Sequence, residues 1–310
     1  MSPRLLIYHK DSRAYEEILS NKLPGAEIRP ATCPEEASDF VENTEIIFSW
    51  GIPDDLLKKA ERLRWFASMV AGNENLVNNP HLPAKVTFTK TTIYGEMMAE
   101  YVFAYLLYFA RHVEEYLGKQ KEKTWNRRRP VRLRGRVMGI LGLGSVGKEI
   151  ARRGKQFGMT VLGVKRNPEP VENVDQVFIP GDLEKLIPQV DTLVVALPLT
   201  PETEQFLGEK ELLLMKEGAL LFSIGSGRTI DEKALVKVLK TNRIQAVLDV
   251  FETEPLPPES ELWDLKNVVI TPHVSGINIH EEISEEFIQN YHRWIKGEPL
   301  TGLIDRDKGY

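Results

Sequence analysis

The 310-residue sequence has a single cysteine, Cys33, which excludes an intrachain disulfide and a cysteine-built metal centre; a reducing compartment, by default the cytoplasm, is expected. It also lacks a dominant charge. Lys and Arg number 40 against 45 Asp and Glu, a formal net charge of -5, so there is no basic field to recruit nucleic acid or an anionic membrane surface. No run is long and apolar enough to span a bilayer, and the first ten residues meet charge too early for a secretory leader. His9, His81, His112, His280 and His292 show no metal-ligand spacing with one another or with Cys33; they read as structural or surface residues, and no metal is expected. Internal repeats and low-complexity segments are absent as well.

What the chain does have is apolar material, 42% of residues, enough to fill two cores. Short apolar runs at Leu5 to Tyr8, Glu45 to Trp50, Trp65 to Val70 and Val86 to Thr89 alternate with charged helical stretches, the pattern of a small parallel α/β domain. Then Met97 to Lys119 keeps helical spacing and predicts one long helix, apolar enough to need cover from another domain or a second subunit. From Arg136 on, strand-like runs recur at Val137 to Leu141, Thr160 to Val164, Gln176 to Ile179, Thr192 to Leu197, Ala219 to Ile224 and Gln245 to Val250, which predicts a doubly wound sheet. Glu254 to Glu259, rich in proline, reads as a rigid loop, and His280 to Lys296 as a last amphipathic helix.

The strand-like Val137 to Leu141 runs into Gly142-Leu-Gly144-Ser145-Val146-Gly147 and then a helical stretch, the setting a dinucleotide fingerprint requires. Gly142 allows the tight turn, Gly144 the approach of a pyrophosphate, and Gly147 close packing of helix on strand. After the next strand, where an NAD site offers an acidic side chain to the ribose, stand Lys165, Arg166 and Asn167. Cations there pair with a 2′-phosphate, so NADP(H) is favoured, with NAD(H) as the alternative should these be ordinary solvated charges.

Three segments follow strand ends: Ser223 to Arg228, Leu248 to Glu254, and Thr271 to Gly276. Taken singly, Arg228 reads as a surface charge, Glu254 as a loop carboxylate and His273 as a turn residue. Together, downstream of a dinucleotide loop, they supply what reduction of a keto acid needs: a cation for the acid group, and a histidine with its carboxylate partner to give a proton to the carbonyl oxygen. A carboxylate beside the ring favours the protonated imidazolium, and a planar guanidinium can hold a carboxylate through two hydrogen bonds.

On Gly142 to Gly147, Ala196 to Thr203, Gly225 to Arg228, Leu248 to Pro257 and Thr271-Pro-His273, the sequence resembles the D-isomer-specific 2-hydroxyacid dehydrogenase family, glyoxylate and hydroxypyruvate reductases among them. The resemblance implies two Rossmann-like or flavodoxin-like α/β domains with doubly wound parallel sheets and a cleft between them. Residues 1–95 plus 282–310 would form the substrate domain, and 96–281 the dinucleotide-binding domain, through which a homodimer would form. It implies Arg228, Glu254 and His273 as the catalytic set. Cofactor contacts would come from the glycine loop, Lys165 to Asn167, Leu197, Pro198, Thr203, Ile224, Gly225, Ser226, Asp249 and Gly276, with Asp249 near the nicotinamide carboxamide. The substrate carboxylate would meet backbone amides of Val70, Ala71 and Gly72. Trp50 and Tyr94, at strand ends, have both the cleft and the core open to them.

Gly225 stands where many members carry Asn, and Thr229 where they carry Gly, departures that bear on substrate and nicotinamide contacts rather than on fold. The expected reaction is reduction of a small 2-keto acid, glyoxylate or hydroxypyruvate in type, to the D-2-hydroxy acid. The rival reading is a dinucleotide-sensing, corepressor-like scaffold of the same fold; the absence of extra arms and tails favours the enzyme. Formate dehydrogenation, a second rival, needs no proton donor and fits Glu254 beside His273 less well.

Overall fold

A computed structural model describes residues 2–23, 25–71, 76, 79–83, 85–277 and 279–305. The chain forms two compact units, Met1–Ile93 with Asn278–Tyr310, and Tyr94–Ile277. Both are α/β units built on parallel sheets. Among the described residues no helix is long and apolar enough to cross a membrane.

The first unit contains β1 (Arg4–Tyr8), α1 (Ser12–Ser20), β2 (Glu27–Ala31), α2 (Pro34–Ala37), β3 (Ile46–Ser49), α3 (Asp54–Lys59), β4 (Trp65–Ser68) and β5 (Thr87–Lys90). Its sheet runs β2-β1-β3-β4-β5, a flavodoxin-like order. Strand β2 has no counterpart among the runs read from sequence. It lies at the sheet edge, its pattern is mostly half-buried, and it contains Pro30, which an edge strand tolerates and a central one does not.

The second unit contains α4 (Tyr94–Ala110), α5 (Val113–Lys121), β6 (Val137–Leu141), α6 (Ser145–Gln156), β7 (Thr160–Val164), β8 (Gln176–Phe178), α7 (Leu183–Leu186), β9 (Thr192–Val195), α8 (Glu209–Leu213), β10 (Leu220–Ser223), α9 (Glu232–Leu239), β11 (Gln245–Leu248) and β12 (Val268–Ile270). Its strands order as β12-β11-β10-β9-β6-β7-β8, the Rossmann arrangement, reversing between β9 and β6. Leu193 and Val195 pack into one core and Val194 into another, and Leu221 and Phe222 divide likewise, so both faces of the sheet are covered. That explains continuous apolar strands without alternation.

The single long helix expected over Met97 to Lys119 is broken. His112 adopts a left-handed conformation (φ 55°) between α4 and α5, its Nε2 lies 3.0 Å from the Arg129 carbonyl, and the Val131 amide donates to the Ala110 carbonyl at 2.9 Å. The returning segment thus satisfies groups at the helix end, and helical periodicity cannot reveal a partner so far along the chain.

The last helix, α10 (His280–Lys296), completes the first unit. Its Phe287 stacks on Phe48 and Trp65 at centroid distances of 4.3 and 5.1 Å. Its Glu286 carboxylate accepts the Thr92 amide at 3.0 Å and takes hydrogen bonds from the hydroxyls of Thr91 and Thr92, tying the segment after β5 to the helix.

Candidate functional site

Every catalytic or cofactor candidate of the second unit follows the C-terminal end of a strand, and the strand order lines the loops up. His273 follows β12, Asp249 and Glu254 follow β11, Ile224 to Arg228 follow β10, Leu197 to Thr203 follow β9, the glycine loop follows β6, and Lys165 to Asn167 follow β7. Neighbouring strands are about 4.8 Å apart, so β10, β11 and β12 bring Arg228, Glu254 and His273 to one end of the sheet edge.

His273 and Glu254 meet directly, Nδ1 to Oε2 at 2.7 Å. Because a carboxylate only accepts, the imidazole Nδ1 carries the proton of this bond and Nε2 is left for another partner. The other Glu254 oxygen accepts the Phe251 amide at 3.0 Å, which fixes the carboxylate. His273 has a left-handed backbone (φ 53°), at a cost of about 1–2 kcal/mol for a residue with a side chain.

What holds His273 in that conformation is Asp249. Its carbonyl accepts the His273 amide at 2.9 Å, and its fully buried carboxylate accepts the Thr271 hydroxyl at 2.5 Å and the amides of Val274 and Ser275, each at 2.8 Å. Since Thr271 spends its proton on Asp249, the Tyr101 hydroxyl of α4, 2.6 Å away, donates to Thr271. Burial keeps that phenol protonated well above the usual tyrosine range. The sequence reading placed Asp249 among the cofactor contacts; in the fold its carboxylate positions the turn that carries His273. Nothing in the sequence distinguishes Tyr101 from the other tyrosines of α4, Tyr94, Tyr105 and Tyr108.

Arg228 lies in the single turn Gly227–Thr229, and its guanidinium pairs with the Glu204 carboxylate, a partner not legible in the sequence. Both side chains are about half exposed, 52% and 46%, so the pair is weak enough to be exchanged.

The glycine loop fits a dinucleotide. Gly142 has φ 100°, and a Cβ on Gly147 would come within 1.9 Å of the Gly142 carbonyl oxygen, so neither position admits a side chain. A Cβ on Gly144 would meet nothing within 4 Å, and no side chain caps the start of α6, whose leading amides at Ser145, Val146 and Gly147 remain open to an anion. Lys165 pairs with Glu169 at 3.5 Å and Arg166 with Glu202 at 3.7 Å. Asn167 is exposed.

Other members of the expected cofactor set also make contacts within the scaffold. Thr203 donates to the Pro198 carbonyl at 2.6 Å and accepts the Thr200 amide at 2.7 Å, closing the turn after Leu197. Ile224 is 2% exposed with its side chain in the core, which leaves only its backbone for a ligand. Ser226 donates its amide to the Leu197 carbonyl at 3.1 Å, Gly225 is half-buried, and Gly276 lies beside Tyr94. Of the substrate loop, Val70 and Ala71 are half-buried at the exit of β4, and Gly72 lies outside the described residues. Tyr94 is buried and Trp50 is not. Among the described residues no cluster of His, Cys, Asp and Glu could hold a metal.

Known proteins are similar to this chain in sequence and fold. The model of the family described as "D-isomer specific 2-hydroxyacid dehydrogenase, NAD binding domain" matches residues 103–275. A glyoxylate reductase of Aeropyrum pernix is 35% identical over 266 residues, 82% of this chain and 79% of that protein. The crystal structure of a D-isomer specific 2-hydroxyacid dehydrogenase family protein from Aeromonas salmonicida is 37% identical, with a TM-score of 0.88 over 99% of this chain and 100% of that one. A D-isomer specific 2-hydroxyacid dehydrogenase from Xanthobacter autotrophicus, in complex with NADPH and MES, is 30% identical, with a TM-score of 0.90 and full coverage of both chains. With a dinucleotide loop, a histidine–carboxylate pair and an arginine on one sheet edge, and relatives along most of its length, the chain belongs to the D-isomer-specific 2-hydroxyacid dehydrogenases and is an NAD(P)-dependent oxidoreductase.

Proposed function

We propose that the chain reduces a small 2-keto acid, glyoxylate or hydroxypyruvate in type, to the D-2-hydroxy acid, and prefers NADP(H). The observation that carries this reading is the 2.7 Å contact between His273 and Glu254 at the strand ends. Glu254 holds the imidazolium with Nδ1 engaged, and Nε2 gives its proton to the substrate oxygen as that atom gains negative charge. Arg228 exchanges Glu204 for the substrate carboxylate and orients it. The amides of Val70, Ala71 and Gly72 are assigned to the same carboxylate.

Gly142, Gly144, Ser145, Val146 and Gly147 would hold the pyrophosphate, with Lys165, Arg166 and Asn167 at the ribose end; Leu197, Pro198, Thr203, Ile224, Gly225, Ser226, Asp249 and Gly276 would line the rest. When bound, the reduced nicotinamide supplies the hydride. Preference for NADP(H) draws on the two cations after β7 and on the NADPH held by the Xanthobacter relative. The substrate size draws on relatives named glyoxylate reductase. A homodimer through the second unit is part of the proposal.

The test is oxidation of NADPH and of NADH by the purified protein with glyoxylate, hydroxypyruvate, pyruvate and phenylpyruvate, using His273→Ala as control. Fast NADPH-linked turnover with the small acids, lost in the variant, supports the reaction, the cofactor preference and the role of His273. Tight cofactor binding without turnover favours the sensing scaffold, and faster turnover with NADH removes the role given to Lys165 and Arg166.

A further inference from the structure

Glu254 and His273 touch at 2.7 Å, yet burial does not hold them there: their side chains are 35% and 60% exposed. Glu254 stands in the segment between β11 and β12, to which Pro255, Pro257 and Pro258 bring no amide proton. What keeps such a segment in place has to come from its carbonyls and from side chains outside it.

The segment is pinned on either side of Glu254. Before it, the Glu252 amide donates to the Glu232 carboxylate at the start of α9, at 3.0 Å. After it, the Pro257 carbonyl accepts both the Ser260 amide and the indole Nε1–H of Trp263, each at 3.0 Å. Trp263 belongs to the single turn Glu261–Asp264, which Leu262, 1% exposed, anchors in the core. Trp263 itself is 52% exposed, so its ring adds little to that core. An indole nitrogen only donates, and here its proton is spent on the segment that carries Glu254.

We propose that Trp263 is a positioning residue for the reaction, holding through the Pro257 carbonyl the segment that presents Glu254 to His273. This rests on the keto-acid reading above. The Phe251 amide orients the Glu254 carboxylate, and the indole fixes the backbone that follows it. With the indole bond gone, the Ser260 amide alone holds the Pro257 carbonyl. Glu254 then spends part of its time away from His273, the imidazole is free to turn, and Nε2 is misaimed when the substrate oxygen needs its proton. Trp263 acts through Glu254 and touches no reacting atom.

The experiment compares the intact protein with Trp263→Phe and Ser260→Ala. Phe keeps a ring and loses the donor; Ser260→Ala loses the hydroxyl that accepts the Leu262 amide at 3.4 Å and keeps both bonds to the Pro257 carbonyl. One readout is the split between kcat and KM for glyoxylate with NADPH. The other, independent of turnover, is the downfield proton resonance of the His273 Nδ1–H in its bond to Glu254, assigned by its loss in His273→Ala. Trp263→Phe is expected to lower kcat about fivefold, the factor given by a hydrogen bond worth about 1 kcal/mol, with both KM values within about twofold of the parent. It is also expected to broaden or lose the resonance, while Ser260→Ala matches the parent in both readouts. A resonance that persists unchanged in Trp263→Phe overturns the proposal and leaves the keto-acid reading standing. An equal fall of kcat in Trp263→Phe and Ser260→Ala assigns the effect to the turn and removes the role of the indole. Should the parent reduce none of the acids, the keto-acid reading falls and the resonance alone decides, its loss in Trp263→Phe upholding the hold on Glu254 and its persistence overturning it.

Discussion

Arg228 and Glu204 are paired through their side chains and held in register by the backbone, where the Gln205 amide donates to the Arg228 carbonyl at 2.8 Å. The arginine assigned to the substrate is thus already occupied by a carboxylate of the protein, and a substrate must compete for it. Half-exposed ion pairs are worth about 0.2–1 kcal/mol, so Glu204→Gln is expected to lower KM for glyoxylate about two- to fivefold with kcat little changed. Arg228→Lys, which loses the planar two-point grip, is expected to raise KM about tenfold or more. Initial-rate kinetics check both; a higher KM in Glu204→Gln would mean that the carboxylate orients Arg228 rather than competing for it.

Asp249→Asn is expected to damage folding and catalysis together. The amide puts a donor where three donors already converge, leaving at least one buried group unpaired. A loss of about 2–4 kcal/mol in urea unfolding is expected, with a fall in kcat as the His273 turn relaxes. Tyr101→Phe removes only the outermost donor and should cost about 1 kcal/mol. Lost turnover at unchanged stability would instead place the work of Asp249 at the cofactor.

His9 makes the first unit sensitive to acid. Burial makes its folded form titrate below the unfolded value of 6.5, so the unfolded chain takes up a proton that the folded chain refuses. Stability is therefore whole above that pH and declines as pH falls through it. His9→Phe should flatten the decline in urea midpoint below about pH 6.5 relative to the parent. An equally steep decline in the variant would assign the effect to other groups.

Arg166→Ala is expected to raise KM for NADPH about ten- to a hundredfold, the loss of one or two charge-assisted hydrogen bonds, while KM for NADH moves little. Equal changes for both cofactors would mean that the guanidinium serves the fold through Glu202.

The strands of the second unit were legible because both faces of that sheet are buried and each strand reads as an unbroken apolar run. The glycine loop was legible because turn, approach and packing each demand glycine at a fixed spacing. Strand β2 was not: at an edge, with Pro30, it needs little apolar sequence. Nor was the break at His112, which depends on Arg129 and Val131 returning to the helix end. Glu204 and Tyr101 were invisible for the same reason, since their partners, Arg228 and Thr271, lie far along the chain and are brought near only by folding.

The stacking of Phe287 on Phe48 and Trp65 has a consequence for synthesis. Translation runs from the amino end, so β1 to β5 leave the ribosome long before α10, which covers Leu5, Ile7, Phe48 and Trp65. The unit made first is finished last, and the second unit can complete its core while the first still exposes apolar surface. During that interval the exposed apolar surface is open to aggregation, and a chain terminated before Ile283 leaves that surface uncovered for good.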